Sequence, residues 1–407
     1  MANSFLSPTI VTNEALRILH NNLTFAKGVN RAYDNSFGNS GASVSGKIGP
    51  SLRIRKPNRF SVSSGSALDI QDTNEEYVTL TVSTRSQVAF KFTSDDLTLT
   101  IDQFSDRYLK PAGLALASKI DRDGLTLASQ TVYNSVGTPG TSPNAALTYL
   151  NAGVKLDDNA CPRDDMRYAC INPAAQAATV NALTGLFQKS DLIGQQYEKG
   201  EMGTALGFVF KMDQNVNSIT TGTGCDAAGL TVKGATQSGA SLLIDATTGD
   251  TFNVGEVFTI ADVYGVNPET FQSTGELQQF VITADATAAS SEVTLSISPA
   301  IYATTSSSGK QTVTALPADD AAITMYDTTA STARPQNIAY HKDAFTLVTA
   351  DLQVPNGVDF AARKVYDGIS LRVIRDYSIN SDEMPCRLDV LSGWKELYPQ
   401  HAVKIWG

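Results

Sequence analysis

Residues 222–332 hold twelve acids, running from Asp226 to Asp327, against two bases, Lys233 and Lys310, with no Arg and no His. The chain of 407 residues carries 31 bases and 41 acids, a formal charge of −10. Removing this segment leaves 29 of each, so one stretch carries the whole net charge. A compositional break this sharp predicts a separate domain inserted into a neutral host. The segment also reads differently from its flanks. "DTFNVGEVFTIADVYGV", "ELQQFVITADAT" and "SEVTLSISPAI" are short runs rich in Val, Ile, Phe and Thr. Turn signals at Thr248-Gly249-Asp250, Asn267-Pro268 and Ser308-Gly309 break them up. This is the pattern of an all-β barrel or sandwich, with acids and prolines guarding its edges.

The host reads as α+β. Leu16, Leu19 and Leu23 follow helical spacing after Thr12 or Asn13 as cap. A helix is expected from about Asp102 to Tyr133, with Phe104, Tyr108, Leu114, Ala117, Ile120 and Leu127 inward and Pro111 as a kink. Ser142-Pro143 opens another, with Leu147, Leu150 and Val154 on its core face. "RYACI" reads as a buried strand. Asn172-Pro173 starts a helix lined by Val180, Leu183 and Phe187, and "ALGFVF" is a core strand. "AFTLVTADLQV", "GISLRVIRDYSI" and the C-terminal runs add further strands.

"SLRIRKPNRF" is the sharpest local feature of the host. With Lys47 it gathers Arg53, Arg55, Lys56 and Arg59 and no acid. Leu52 and Ile54 alternate with Arg53 and Arg55, so one strand face is apolar and the other basic. The return arm places Val78, Leu80 and Val82 against Tyr77, Thr79 and Thr81. Asp69, Asp72, Glu75 and Glu76 approach that arm, across a polar tip. The hairpin is basic on the way out and acidic on the way back. Five bases make a modest counterion-release footprint, so the strip fits a subunit contact better than a nucleic-acid site.

No catalytic constellation emerges. His20, His341 and His401 have no Ser, Cys or acid at a motif spacing. "TGTGCDAAG" lacks the strand-to-helix context of a dinucleotide loop. The pairs Asp157/Asp158 and Asp164/Asp165 read as a solvated loop rather than a calcium site. Cys161, Cys170, Cys225 and Cys386 have no metal or redox spacing and read as unpaired thiols. No segment reaches the roughly 18 apolar residues of a membrane span, and the N-terminus lacks the basic start of a secretory signal. The expectation is a non-enzymatic protein with no cofactor and no metal. Charged residues make up 18%, against about 25% for soluble domains, a shortfall that suits surface buried against partners.

"VAFKFTSDDLTLTIDQFSDRYLKPAGLALASKIDRDGL" resembles the hairpin-to-spine-helix segment of tailed-bacteriophage major capsid proteins. "CPRDDMRYACINPAAQAATVNALTGLFQKSD" and "GTALGFVFKMDQNV" are similar to their peripheral-domain helix and following strand. The β segment is similar to the inserted barrel of the podophage-type coat proteins. "NIAYHKDAFTLVTADLQVP" and "LRVIRDYSINSDEMPCRLDVLSGWKELYPQHAVKI" resemble their C-terminal return. The resemblance spans nearly the whole chain in order. It implies an HK97-like fold with an N-terminal arm (1–46), an extended-loop hairpin (47–93), a spine helix with peripheral and axial domains (94–221), the acidic insertion (222–332) and a C-terminal return (333–407). It also implies pentamers and hexamers in an icosahedral virion shell, built in the bacterial cytoplasm with a scaffolding protein and a portal, around packaged double-stranded DNA. Some relatives crosslink subunits through a loop lysine. Lys56 lies in the corresponding loop, but no partner context matches and no crosslink is assigned. Two other readings stay open: a phage decoration, tail or adhesin-type binding protein with an acidic β domain, and an enzyme with an unrecognised site.

Overall fold

The computed structural model describes residues 8–33, 49–60, 62, 65–66, 70, 75–93, 108–183, 203–303, 310–379 and 383–407. The chain forms two compact units. The first comprises Met1–Ile54, Val78–Gly124 and Phe345–Lys395, and the second Arg55–Tyr77, Leu125–Ala344 and Glu396–Gly407.

The first unit is built on a five-stranded sheet whose hub is Glu383–Glu396. This strand pairs antiparallel with Thr84–Thr93 from Glu383 opposite Thr93 to Ser392 opposite Thr84. On its other edge come Ile369–Arg375 and then Phe360–Tyr366, both antiparallel. Helix α1, Pro8–Asn22, packs on the outer strand of this sheet. Leu16, Leu19 and Leu23 are buried as expected. Thr12, expected as the cap, is buried inside the helix instead.

Helix α2 is described over Lys110–Thr131. Pro111, expected as a kink, is the second residue of that range. Residues 94–107, with Phe104, lie outside the described residues. Ala117 and Ile120 are buried as expected, together with Leu109, Ala112 and Leu116, while Tyr108 and Leu114 face outward. The Asp121 carboxylate, 1% exposed, accepts the backbone N–H groups of Thr24 and Ala26 at 2.7 and 2.9 Å. It caps the turn that follows α1, a use for a buried charge that the sequence did not announce.

The second unit holds a seven-stranded sheet. Its order is Ser135–Val136, Ala402–Trp406, Ala333–His341, Arg167–Ile171, Phe208–Met212 and Thr204–Ala205, with Ser218–Thr220 also on the central strand. "ALGFVF" is thus two strands, turned at Leu206-Gly207 where both residues have positive φ. Helix α3 is Ala146–Asp158 and helix α4 is Pro173–Leu183. The Asn172 side chain caps α4 through the Ala175 N–H at 2.7 Å. In α3 the inward residues are Tyr149, Ala152 and Leu156. The expected core stripe, Leu147, Leu150 and Val154, is 65%, 47% and 50% exposed. Two apolar stripes compete on this helix. The Tyr149 hydroxyl, 2.8 Å from Thr179 Oγ1 inside the core, fixes which one turns inward.

The acidic segment lies within the second unit and folds as a closed barrel. Strands run in the order Ile323–Met325, Val257–Val266, Ser273–Ile282, Glu292–Ile301, Gly239–Asp245 and Thr231–Val232. The two end strands meet through Ile323 N–H to Leu230 O and Val232 N–H to Ala321 O. Closure removes the exposed edges that an open sheet would present. Val232, Leu242, Ile244, Phe258, Phe280 and Leu295 are fully buried in its core. The sequence left barrel and sandwich open, and the closing hydrogen bonds decide for the barrel.

Candidate assembly surface

The extended hairpin begins with Ser51–Arg55 paired to Tyr77–Thr81. Alternation places Ile54 and Leu80 inward and Arg53, Arg55, Tyr77, Thr79 and Thr81 outward, as the sequence pattern required. Backbone pairing continues through Lys56 N–H to Glu76 O at 2.8 Å. The Arg55 guanidinium meets Glu75 at 3.1 Å, with both side chains exposed. Glu76 meets Lys310 at 3.4 Å, so one of the two bases of the acidic segment serves the loop. The Lys56 ammonium stands 5.8 Å over the Tyr398 ring. Arg53 and Arg59 are exposed. Lys47, Asp69 and Asp72 lie outside the described residues. The basic and acidic limbs therefore meet partly within one chain, which reading each limb separately did not foresee.

Within the second unit the loop base borders a cleft of about 340 Å³ lined by Lys56, Arg59, Glu76, Tyr302, Lys310 and Tyr398. Three cations face one carboxylate there. Beyond it the loop carries exposed apolar residues: Phe60 is 57% exposed, Val62 97% and Ile70 80%. These were missed because single apolar residues in a Ser- and Gly-rich tip have no periodicity to mark them.

Buried ionisable groups lie elsewhere in the second unit. Glu256, 2% exposed, accepts the N–H groups of Gly222 and Asn253, and burial pushes its carboxyl up to about 7. Lys404 is fully buried and donates to Gly255 O at 2.7 Å. Burial holds its ammonium well below the usual lysine range, against the pull of Glu256. Gly255 has φ +94°, and a Cβ there would stand 2.6 Å from Ile219. Burial also takes His401 down to about 4. All four cysteines are buried and none forms a disulfide. No helix among the described residues is long and apolar enough to cross a membrane.

The model of the family described as "P22 coat protein - gene protein 5" matches residues 1–407. The chain belongs to the P22 coat protein family. The coat subunit is therefore a phage major capsid protein, a self-associating building block of an icosahedral shell and not an enzyme. Its α+β fold is of the HK97-like kind. Among solved structures, a chain of Mycobacterium phage Che8 is similar at 12% identity, covering 94% of this chain and 90% of that one, TM-score 0.48. The capsid of Ralstonia phage GP4 is similar at 7% identity, covering 93% and 91%, TM-score 0.45. The "CUS-3 coat protein I-domain" is 29% identical over 25% of this chain and 98% of that one, TM-score 0.20. No curated protein matches the chain. Nothing in these comparisons favours the decoration, tail or adhesin reading.

Proposed function

We propose that the coat subunit assembles as pentamers and hexamers by laying residues 47–93 on a neighbouring copy. Assembly takes place in the bacterial cytoplasm with a scaffolding protein and a portal, and the shell encloses double-stranded DNA held without sequence preference. The observation that carries the arm reading is the exposure of Phe60, Val62 and Ile70 beside exposed Arg53 and Arg59. Exposed apolar residues gathered on one loop suit a surface made for a partner. Basic and acidic limbs on one arm let identical subunits be complementary head to tail, and Arg55–Glu75 shows the pairing chemistry in miniature. The neutral body outside residues 222–332 supports the same reading, since many copies meet without strong mutual repulsion or strong adhesion to DNA. Residues 222–332 are proposed as a domain on the outer shell surface, where their acids stay solvated and away from DNA.

Reversing Arg53, Arg55 and Arg59 to Glu tests the arm. Folded monomers that no longer form shells are expected. Normal shells with poor DNA packaging would assign the strip to DNA instead.

A further inference from the structure

The fold gathers one thiol and two imidazoles that the sequence spacing kept apart. Cys161 ends the turn after α3, His341 closes the Ala333–His341 strand, and His401 lies in the turn Pro399–His401. All three belong to the second unit. The Cys161 sulfur and one nitrogen from each ring lie within 4.8 Å of one another. Cys161 and His341 are 6% and 2% exposed. The two rings stand edge to face, 6.2 Å between centroids at 88°, and Tyr398 stacks on His401 at 5.4 Å. His401 Nδ1 is buried and has no hydrogen-bond partner among the described residues. An unmatched buried nitrogen is costly in a plain core and useful in a ligand set.

The surroundings suit a cation. The Asp164 carboxylate lies 3.0 Å from His341 Nε2, the carboxylate–imidazole contact that orients metal-ligating histidines. A metal on Nδ1 replaces only the long 3.3 Å hydrogen bond from the Asp343 N–H. Asp343 adds a second carboxylate 3.9 Å from that nitrogen. Arg59 and Arg167 face the cluster with positive charge, but Arg167 is already bonded to Asp157 and to the Cys161 and Pro162 carbonyls.

We infer that Cys161, His341 and His401 form a divalent transition-metal site, with Zn²⁺ the cation that fits best. One thiolate and two imidazoles are borderline-soft donors of the type zinc selects, and three protein ligands leave a fourth position for water. Zn–S and Zn–N bonds of about 2.3 and 2.0 Å set tetrahedral ligand atoms roughly 3.3–3.6 Å apart. The cluster needs to close by only about 1 Å to reach that spacing. Binding takes Zn²⁺ from solution, forms the Cys161 thiolate bond and releases that thiol proton to solvent. The metal then ties the turn after α3, the end of the central strand and the turn before the C-terminal strand.

The test is equilibrium dialysis of the full-length protein against Zn²⁺, with elemental analysis and thermal melting. One zinc per subunit is expected, raising the melting midpoint. Cys161→Ser and His341→Ala should each abolish both effects, whereas Cys386→Ser, in the first unit, should keep them. Should a zinc-site variant fail to fold, Co²⁺ added to the wild type gives the second readout. A thiolate-to-cobalt charge-transfer band, present also in Cys386→Ser, is expected. No retained zinc, no thiolate band in the wild type, or equal stoichiometry in Cys161→Ser would overturn the site.

Discussion

Asp389 has no solvent exposure and sits in the sheet of the first unit, bonded to Arg85 at 2.5 Å and to Arg372 at 3.0 and 2.7 Å. Burial alone would raise its carboxyl, but the bonds to Arg372 and Arg85 outweigh it and hold the group below the usual aspartate range. Removing one partner of such a buried cluster strands the others, at a cost of about 3–5 kcal/mol. Asp389→Asn should lower the unfolding free energy read from urea curves by that much, and a loss under about 1 kcal/mol would show the cluster to be incidental. Because the folded pKa is depressed, this contribution is full above the ordinary aspartate pKa and is lost as pH falls through the folded value. Glu256 works in the opposite sense. Its folded pKa of about 7 stands above the 4.5 of a free glutamate. Stability is therefore greater below 4.5 and is lost as pH rises from 4.5 to 7, by about 3 kcal/mol. In Glu256→Gln that downward slope should vanish from a pH series of denaturation curves. An unchanged slope would assign the pH dependence to other groups. His401, lowered from 6.5 to about 4, adds an opposing slope, because its share is present above 6.5 and lost as pH falls toward 4. None of these residues was legible in the sequence, since burial of a single acid or base leaves no periodic trace.

Element by element, legibility followed the strength of the periodic signal. Strands with clean alternation, such as Ser51–Arg55 and Tyr77–Thr81, came out with the expected faces. The helix start expected at Pro143 did not, because the helix begins at Ala146 after Ala145 as its cap. Helix α3 shows a deeper ambiguity. Its two apolar stripes are near equivalent in sequence, and contacts made far along the chain, Tyr149 with Thr179 and with Phe210, select between them. The stripe left outside, Leu147, Leu150 and Val154, is consistent with a surface covered in the shell. Replacing all three by Gln should leave the monomer melting temperature nearly unchanged and reduce shell yield in a sedimentation assay. A large fall in monomer stability would mean that the stripe packs inside. Helix α2 offers a contrasting case. A Cβ on Gly124 would stand 2.7 Å from Trp394 and 2.9 Å from Phe25. Gly124→Ala should cost about 1–3 kcal/mol through overpacking, read as a lower denaturation midpoint without loss of assembly in the survivors.

Across the whole molecule, the charge partition remains the most informative statement the chain makes. Glu256 and Asp327 are buried in the barrel, and Asp327 is bonded to Arg334 at 2.8 Å. The other ten acids of residues 222–332 are at least partly exposed. The α+β class of the host and the all-β character of residues 222–332 were readable, because composition and alternation are local. The internal pairing of Glu76 with Lys310, the choice of barrel over sandwich and the Cys161–His341–His401 cluster were not, because each joins segments far apart in the chain. An outer position for the barrel predicts that protease cleaves within residues 222–332 of intact shells. Cleavage only after disassembly would place the segment inside.

The central claim is that copies of this chain close a shell through their arms, with the barrel outward. Electron microscopy of the purified protein assembled with a scaffolding partner tests it most directly. The expected result is closed polyhedral shells in which residues 47–93 of each subunit lie on a neighbour in the same capsomer and the barrel projects from the outer surface. Monomers that never close into shells, or shells in which the arm folds back on its own subunit and the barrel faces the lumen, would contradict it.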